Sequence, residues 1–137
     1  MALGLRRATL QRVATAKLED AVLLLAHQRF SNAHYLAGFA VEIGIKAVIA
    51  ARFQAETIPD KNFVFDLYSH DIAKLIKLAG LSQELRSKEE SDSSFAAQWA
   101  IVCEWKPDLR YDSSDAISSQ LMINATQDVI EWIKKFW

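Results

Sequence analysis

Cysteine is almost missing from this 137-residue sequence, Cys103 being the only one. A lone thiol closes no intrachain disulfide and supplies no two-cysteine zinc site, so the fold has to rest on a hydrophobic core. Glycine (4) and proline (2) are also scarce, which leaves the chain few places to break. An excess of either charge is missing too: 16 Lys plus Arg against 17 Asp plus Glu give a formal net charge of -1. That balance provides no general field for drawing nucleic acid or an anionic membrane to the surface, so a nucleic-acid role has to rest on a local patch. The N-terminal stretch lacks the uninterrupted apolar region of a signal peptide, and the expected compartment is a reducing cytoplasm. Repeats, low-complexity tracts and linkers are not apparent. With 51% apolar residues, a chain of this length buries roughly two-thirds of the surface it would expose unfolded, and one domain over residues 1–137 is expected.

The apolar residues that are present fall at helical spacing, which predicts an all-α fold. In the first long segment Leu10, Val13, Ala14, Leu18, Ala21, Val22 and Leu25 recur at offsets of three and four and form one stripe. After it, Ser31 or Asn32 is the expected cap of a second helix. Its small-residue stripe of Ala33, Leu36, Ala37, Ala40, Gly44, Ala47, Val48 and Ala51 admits a close neighbour. Tyr35, Phe39, Ile43, Ile45 and Ile49 make most of the remaining circumference apolar, so this helix is expected to be central. It is the most apolar stretch of the chain, but Glu42 and Lys46 interrupt it and argue against a membrane span.

Periodicity fails over residues 54–68, where Pro59, Asp60 and Asn62 read as a turn within the longest loop. Ser69 is the expected cap of a short helix carrying Ile72, Leu75, Ile76 and Ala79, ended by Gly80. The polar tract 86–94 reads as an exposed helical turn or a loop leading to the stripe Phe95, Trp99, Val102 and Cys103, which Pro107 terminates. A last helix starts near Ser113 or Ser114, with Asp115 favourable against its dipole, and its expected buried stripe is Ile117, Leu121, Ala125, Val129, Trp132, Ile133 and Phe136. The strongest helices thus span about residues 6–28, 32–53 and 114–136. An antiparallel up-and-down bundle of four to five helices satisfies such stripes best.

Few residues offer chemistry. Glu42 and Lys46 are four apart and suit an intrahelical ion pair, while their apolar flanks imply a buried setting that calls for further partners. His70 near a helix start could meet an anion or hydrogen-bond a loop carbonyl. Trp105 could stack on a base in a groove or belong to the core. Three scattered His and one Cys give no recognisable metal shell, and no cofactor is implied.

Certain segments carry a resemblance. Leu18-Glu19-Asp20-Ala21, then Ala33-His34-Tyr35-Leu36-Ala37-Gly38-Phe39-Ala40-Val41-Glu42 with Lys46-Ala47, then Ser69-His70-Asp71-Ile72 with Leu75, then Trp105 with Arg110-Tyr111, follow one another in order. Together they resemble the HEPN domain, the higher-eukaryote and prokaryote nucleotide-binding fold, over roughly residues 10–135. The resemblance implies a HEPN-like helical bundle that forms a homodimer. It further implies a possible nucleotidyltransferase-like partner protein in a toxin-antitoxin-type pair, or a nucleotide or RNA ligand. RNase members of that family carry an Arg followed after four to six residues by His near a late helix. Here the Arg at that place is Arg110, and Asp115, Ala116 and Ile117 stand where the His should be. Arg29 and His34 match the spacing literally, but at the junction of the first two helices. The expectation is therefore a non-catalytic binding module that uses Glu42, Lys46, His70, Trp105, Arg110 and Tyr111, with Arg110 paired to Glu42. The alternative is a metal-independent RNase with a divergent site.

Overall fold

The computed structural model describes residues 5–53 and 55–137, and of Arg110 the backbone alone. Among the described residues there are seven α-helices and no strand: α1 (Arg7–Ala26), α2 (Phe30–Ala50), α3 (Lys61–Leu67), α4 (Ile72–Leu78), α5 (Ser82–Ser91), α6 (Ser93–Cys103) and α7 (Ala116–Ile133). Short 3-10 turns cover Pro107–Tyr111 and Lys134–Phe136. The fold is all-α, as the spacing predicts, but among the described residues it has seven helices rather than four to five, because the expected loop 54–68 and the polar tract 86–94 contribute helices of their own.

The central position expected for α2 is observed. It touches α1, α4, α7 and the first 3-10 turn, while α6 packs on α7. Twelve residues of α2, from Ala33 to Ile49, are buried. Among the described helices it alone has the length and composition to cross a membrane. Two-thirds of that apolar window (67%) is covered by the rest of the chain, which marks a core helix. The turn from α1 to α2 is tight: Gln28 takes a left-handed φ of 60° and the Arg29 N–H reaches back to the Leu24 carbonyl at 2.8 Å, a Schellman-type closure with Gln where Gly is usual.

Most departures from the sequence expectations concern caps and loops. Neither Ser31 nor Asn32 caps α2, which begins at Phe30 behind Arg29 with no side-chain cap. Ser31 instead accepts the Ser114 N–H at 2.9 Å, an 83-residue contact that no local rule foresees. Asp71, not Ser69, caps α4 through the Lys74 N–H at 3.2 Å, because Ser69 Oγ is taken by the Asp71 N–H at 3.0 Å. The expected loop 54–68 contains α3, started by Asp60 accepting from the Phe63 N–H and held by the Phe53–Phe63 contact at 5.4 Å. The tract 86–94 is helical on both sides of Asp92, which caps α6 through the Phe95 N–H at 3.0 Å.

Of the expected helix ends, Gly80 holds, while the start of α7 lies at Ala116 behind Asp115 rather than at Ser113 or Ser114. Gly80 adopts φ +76°, and Arg52 closes the end of α4 by donating to the Leu78 carbonyl at 2.6 Å. Asp115 caps α7 through the Ser118 N–H at 2.7 Å.

The α7 stripe is shifted at its start. Ala125, Val129, Trp132 and Ile133 are buried, but Ile117 is 73% and Leu121 51% exposed. The buried residue of this turn is Ser119, two positions from each and so about 200° around the helix. The hydrogen bond from Ser119 Oγ to the Phe30 carbonyl, 2.8 Å long, fixes that orientation. The terminal aromatics fold back rather than project. Trp137 Nε1 donates to the Gly44 carbonyl at 3.0 Å, and its ring joins a small cluster of Leu10, Ala14, Ile43 and Ala47.

Candidate functional site

Four residues of α2 recur at intervals of four: His34, Gly38, Glu42 and Lys46. Such a row forms one ridge inclined to the helix axis. The loops of the second half of the chain are fastened along it.

Glu42 is the buried charge of the row, 2% exposed. A carboxylate so placed needs partners for both oxygens. Oε2 accepts from Lys46 Nζ at 3.2 Å and Oε1 from His70 Nδ1 at 2.8 Å. The intrahelical ion pair read from the spacing is present, and the further partner that burial demands is His70. His70 does meet an anion, but the anion is the chain's own glutamate, and the ring lies in the link before α4 rather than inside it. The Arg110 side chain, expected at the same carboxylate, lies outside the described residues.

One turn up the row, Gly38 seats Trp105. A Cβ at position 38 would collide with the indole, so only glycine admits this approach. The ring packs edge-on against Phe39 at 6.1 Å and beside Tyr35 at 5.9 Å, and its Nε1 donates to the Tyr35 carbonyl at 3.1 Å. Trp105 is 2% exposed. Of the two readings of Trp105, groove or core, the structure shows the core one: the glycine opposite it admits the ring there. Tyr111, by contrast, is 77% exposed.

At the top of the row His34 Nδ1 lies 3.0 Å from Ser114 Oγ, which lies 3.0 Å from Ser119 Oγ. The proton directions follow from the end of this chain. Ser119 has one hydroxyl proton and spends it on the Phe30 carbonyl, so Ser114 donates to Ser119 and must accept from His34. His34 is therefore the Nδ1–H tautomer, and it is not the base of a Ser–His dyad. Burial pushes its pKa below the ordinary histidine value, holding the ring neutral at pH 7. Beside it is a cleft of about 220 Å³ lined in part by Ser31, Leu109 and Asp115. Arg29, its partner in the literal motif match, is exposed at the start of α2.

Little acid–base chemistry remains. His34 and His70 serve row positions 34 and 42, about 12 Å apart along the helix, so they do not flank one reacting bond. The Ser118 N–H bonded to Asp115 holds that carboxyl below its usual range, which makes it a feeble base. Burial, with Asp71 and Glu89 nearby, pushes the Cys103 thiol up to about 12, leaving it inert as a nucleophile. Among the described residues no group of three His, Cys, Asp or Glu is placed to hold a metal ion.

The sequence reading missed Gly38, Ser114 and Ser119 as structural partners. The four-residue recurrence of His34, Gly38, Glu42 and Lys46 was the available signal for the first of them; the two serines carry none. Comparison of the chain with protein-family models, curated proteins and solved structures finds no match.

Proposed function

We propose that this chain is a non-catalytic HEPN-type helical module that acts as a binding partner, working as a homodimer. Its candidate ligands are a nucleotide, RNA or a nucleotidyltransferase-like protein in a toxin-antitoxin-type pair. The observation that carries the reading is the convergence of the resembling segments. Glu42 and Gly38 belong to the second-helix segment, His70 to the Ser-His-Asp segment and Trp105 to the Trp segment, and all three segments meet on one row of α2. Charge at this row is balanced, since Glu42 opposes Lys46, which favours a protein partner over RNA. Exposed Ile117 and Leu121 on α7 and Leu23 on α1 supply apolar surface for a subunit contact.

RNA cleavage without metal needs one group to take the 2'-hydroxyl proton and another to protonate the leaving oxygen. His70 is held by Glu42 and His34 by Ser114, in separate networks. Incubation of the protein with structured and unstructured RNA in EDTA is therefore expected to give no cleavage. Cleavage lost in Arg110→Ala and His70→Ala would establish the divergent RNase instead, and cleavage lost in His34→Ala would revive the Arg29 and His34 pair. Co-expression with the product of an adjacent nucleotidyltransferase-like reading frame is expected to give a stable complex. Light scattering that returns the monomer mass at micromolar concentration would refute the homodimer.

A further inference from the structure

Below the row, where Lys46 ends it, a cleft of about 470 Å³ opens between the start of α1, the end of α2 and the end of α3. Its apolar lining is Leu5, Leu10, Ala50, Phe53 and Leu67. Leu5 is 69% exposed and Phe53 39%, so apolar side chains that water would otherwise disfavour gather at one mouth. The volume lies in the range of small-molecule sites.

The polar lining has one sign. Arg7, Lys46 and the Tyr68 ring border the cleft, and among the described residues no carboxylate does. Lys46 gives one of its three N–H donors to Glu42, which neutralises its charge and leaves donors for a ligand. Arg7 has no ion-pair partner among the described residues. It sits in the first turn of α1, which holds no acidic residue and no side-chain cap, an arrangement that leaves the positive helix end and a cation side by side. The net demand is one negative charge at the rim and an apolar body within.

We infer that this cleft binds a small soluble monoanion with an apolar body, a medium-chain acyl carboxylate, with its head between Arg7 and Lys46 and its chain against Leu10, Ala50 and Phe53. The inference goes beyond the HEPN-type reading and does not rest on it: the cleft shares Lys46 with the row, but Glu42, His70, Trp105 and Tyr111 are not among its lining.

Calorimetric titration of the full chain with decanoate, below its micellar concentration, tests it. Decanol supplies the same body without charge, and acetate the head without the body. Decanoate is expected to bind at one per chain, decanol about tenfold more weakly, and acetate not at all. Arg7→Glu, an exposed change that leaves the core intact, should lower decanoate affinity about tenfold and leave decanol unaffected. Ala50→Phe should fill the cleft and abolish both. Absence of saturable decanoate binding to the folded chain at about millimolar ligand overturns the proposal, as does binding that Arg7→Glu leaves unchanged.

Discussion

The two halves of the α2 row solve the same problem by opposite chemistry. At Gly38 a loop is fastened by removing a side chain, so that the Trp105 ring lies against the helix backbone. At Glu42, one turn away, a loop is fastened by adding a charge and closing it with Lys46 and His70. The dry joint gains from apolar burial and close packing, which favour folding without a desolvation penalty. The ionic joint must first overcome the cost of burying a carboxylate, so its net gain is small while its breakage is costly. The difference teaches that the row is a fastening strip. The apolar joint supplies stability, and the charged one is costly to break.

The comparison can be broken most forcefully at Trp105. Its replacement by Ala removes a fully buried ring and one hydrogen bond, and urea unfolding should show a loss of about 4 kcal/mol. At the ionic joint, Lys46→Met leaves Glu42 with only His70, whose side chain is 56% exposed. The same measurement should give a loss of about 3 kcal/mol, and His70→Ala about 1 kcal/mol. An order of effects reversed between Trp105 and Lys46 would show that the charged joint, not the dry one, dominates.

What could be read from the sequence follows from the range of the forces. The helices and the centrality of α2 are set by apolar spacing along the chain itself, and Gly80 and Asp115 act within one turn. The ion pair of Glu42 and Lys46 is likewise local. His70 reaching Glu42, Trp105 reaching Gly38 and Ser114 reaching His34 join positions 28 to 80 residues apart, and no periodicity encodes such distances. Ser31 illustrates the failure. As an isolated helix start it is an ideal cap, yet tertiary structure claims its hydroxyl for Ser114. The exposed Ile117 and Leu121 fail for the same reason, because one buried hydroxyl, Ser119, sets the rotation of α7.

The top of the row extends the comparison to pH. His34 is held neutral by burial, its folded pKa below the unfolded value of 6.5. As pH falls below 6.5 the unfolded chain binds a proton the folded chain does not, so stability declines with acid through the window down to the folded pKa and then levels off. Asn places an N–H donor near the position of Nδ1 and does not titrate. Chemical unfolding of His34→Asn from neutral pH to about 5 should therefore show a shallower decline than wild type. Equal declines would mean that His34 is not neutral in the folded state.

A smaller effect belongs to the turn that brings α1 against the row. Gln28 holds a left-handed φ of 60°, a conformation glycine adopts without strain. Gln28→Gly should raise stability by about 0.5 kcal/mol or leave it unchanged, read as a shift in the urea midpoint.

The most direct test is a double-mutant cycle between Gly38 and Trp105, measured by urea unfolding. In the wild-type background Gly38→Ala forces a methyl into the indole and should cost about 3 kcal/mol. In the Trp105→Ala background the same substitution no longer meets the indole and exchanges glycine for a better helix former, so it should stabilise by about 0.5–1 kcal/mol. That change of sign is what a ring seated on a helix backbone requires. A Gly38→Ala substitution that destabilises equally in both backgrounds would contradict it, and with it the row of fastenings along α2.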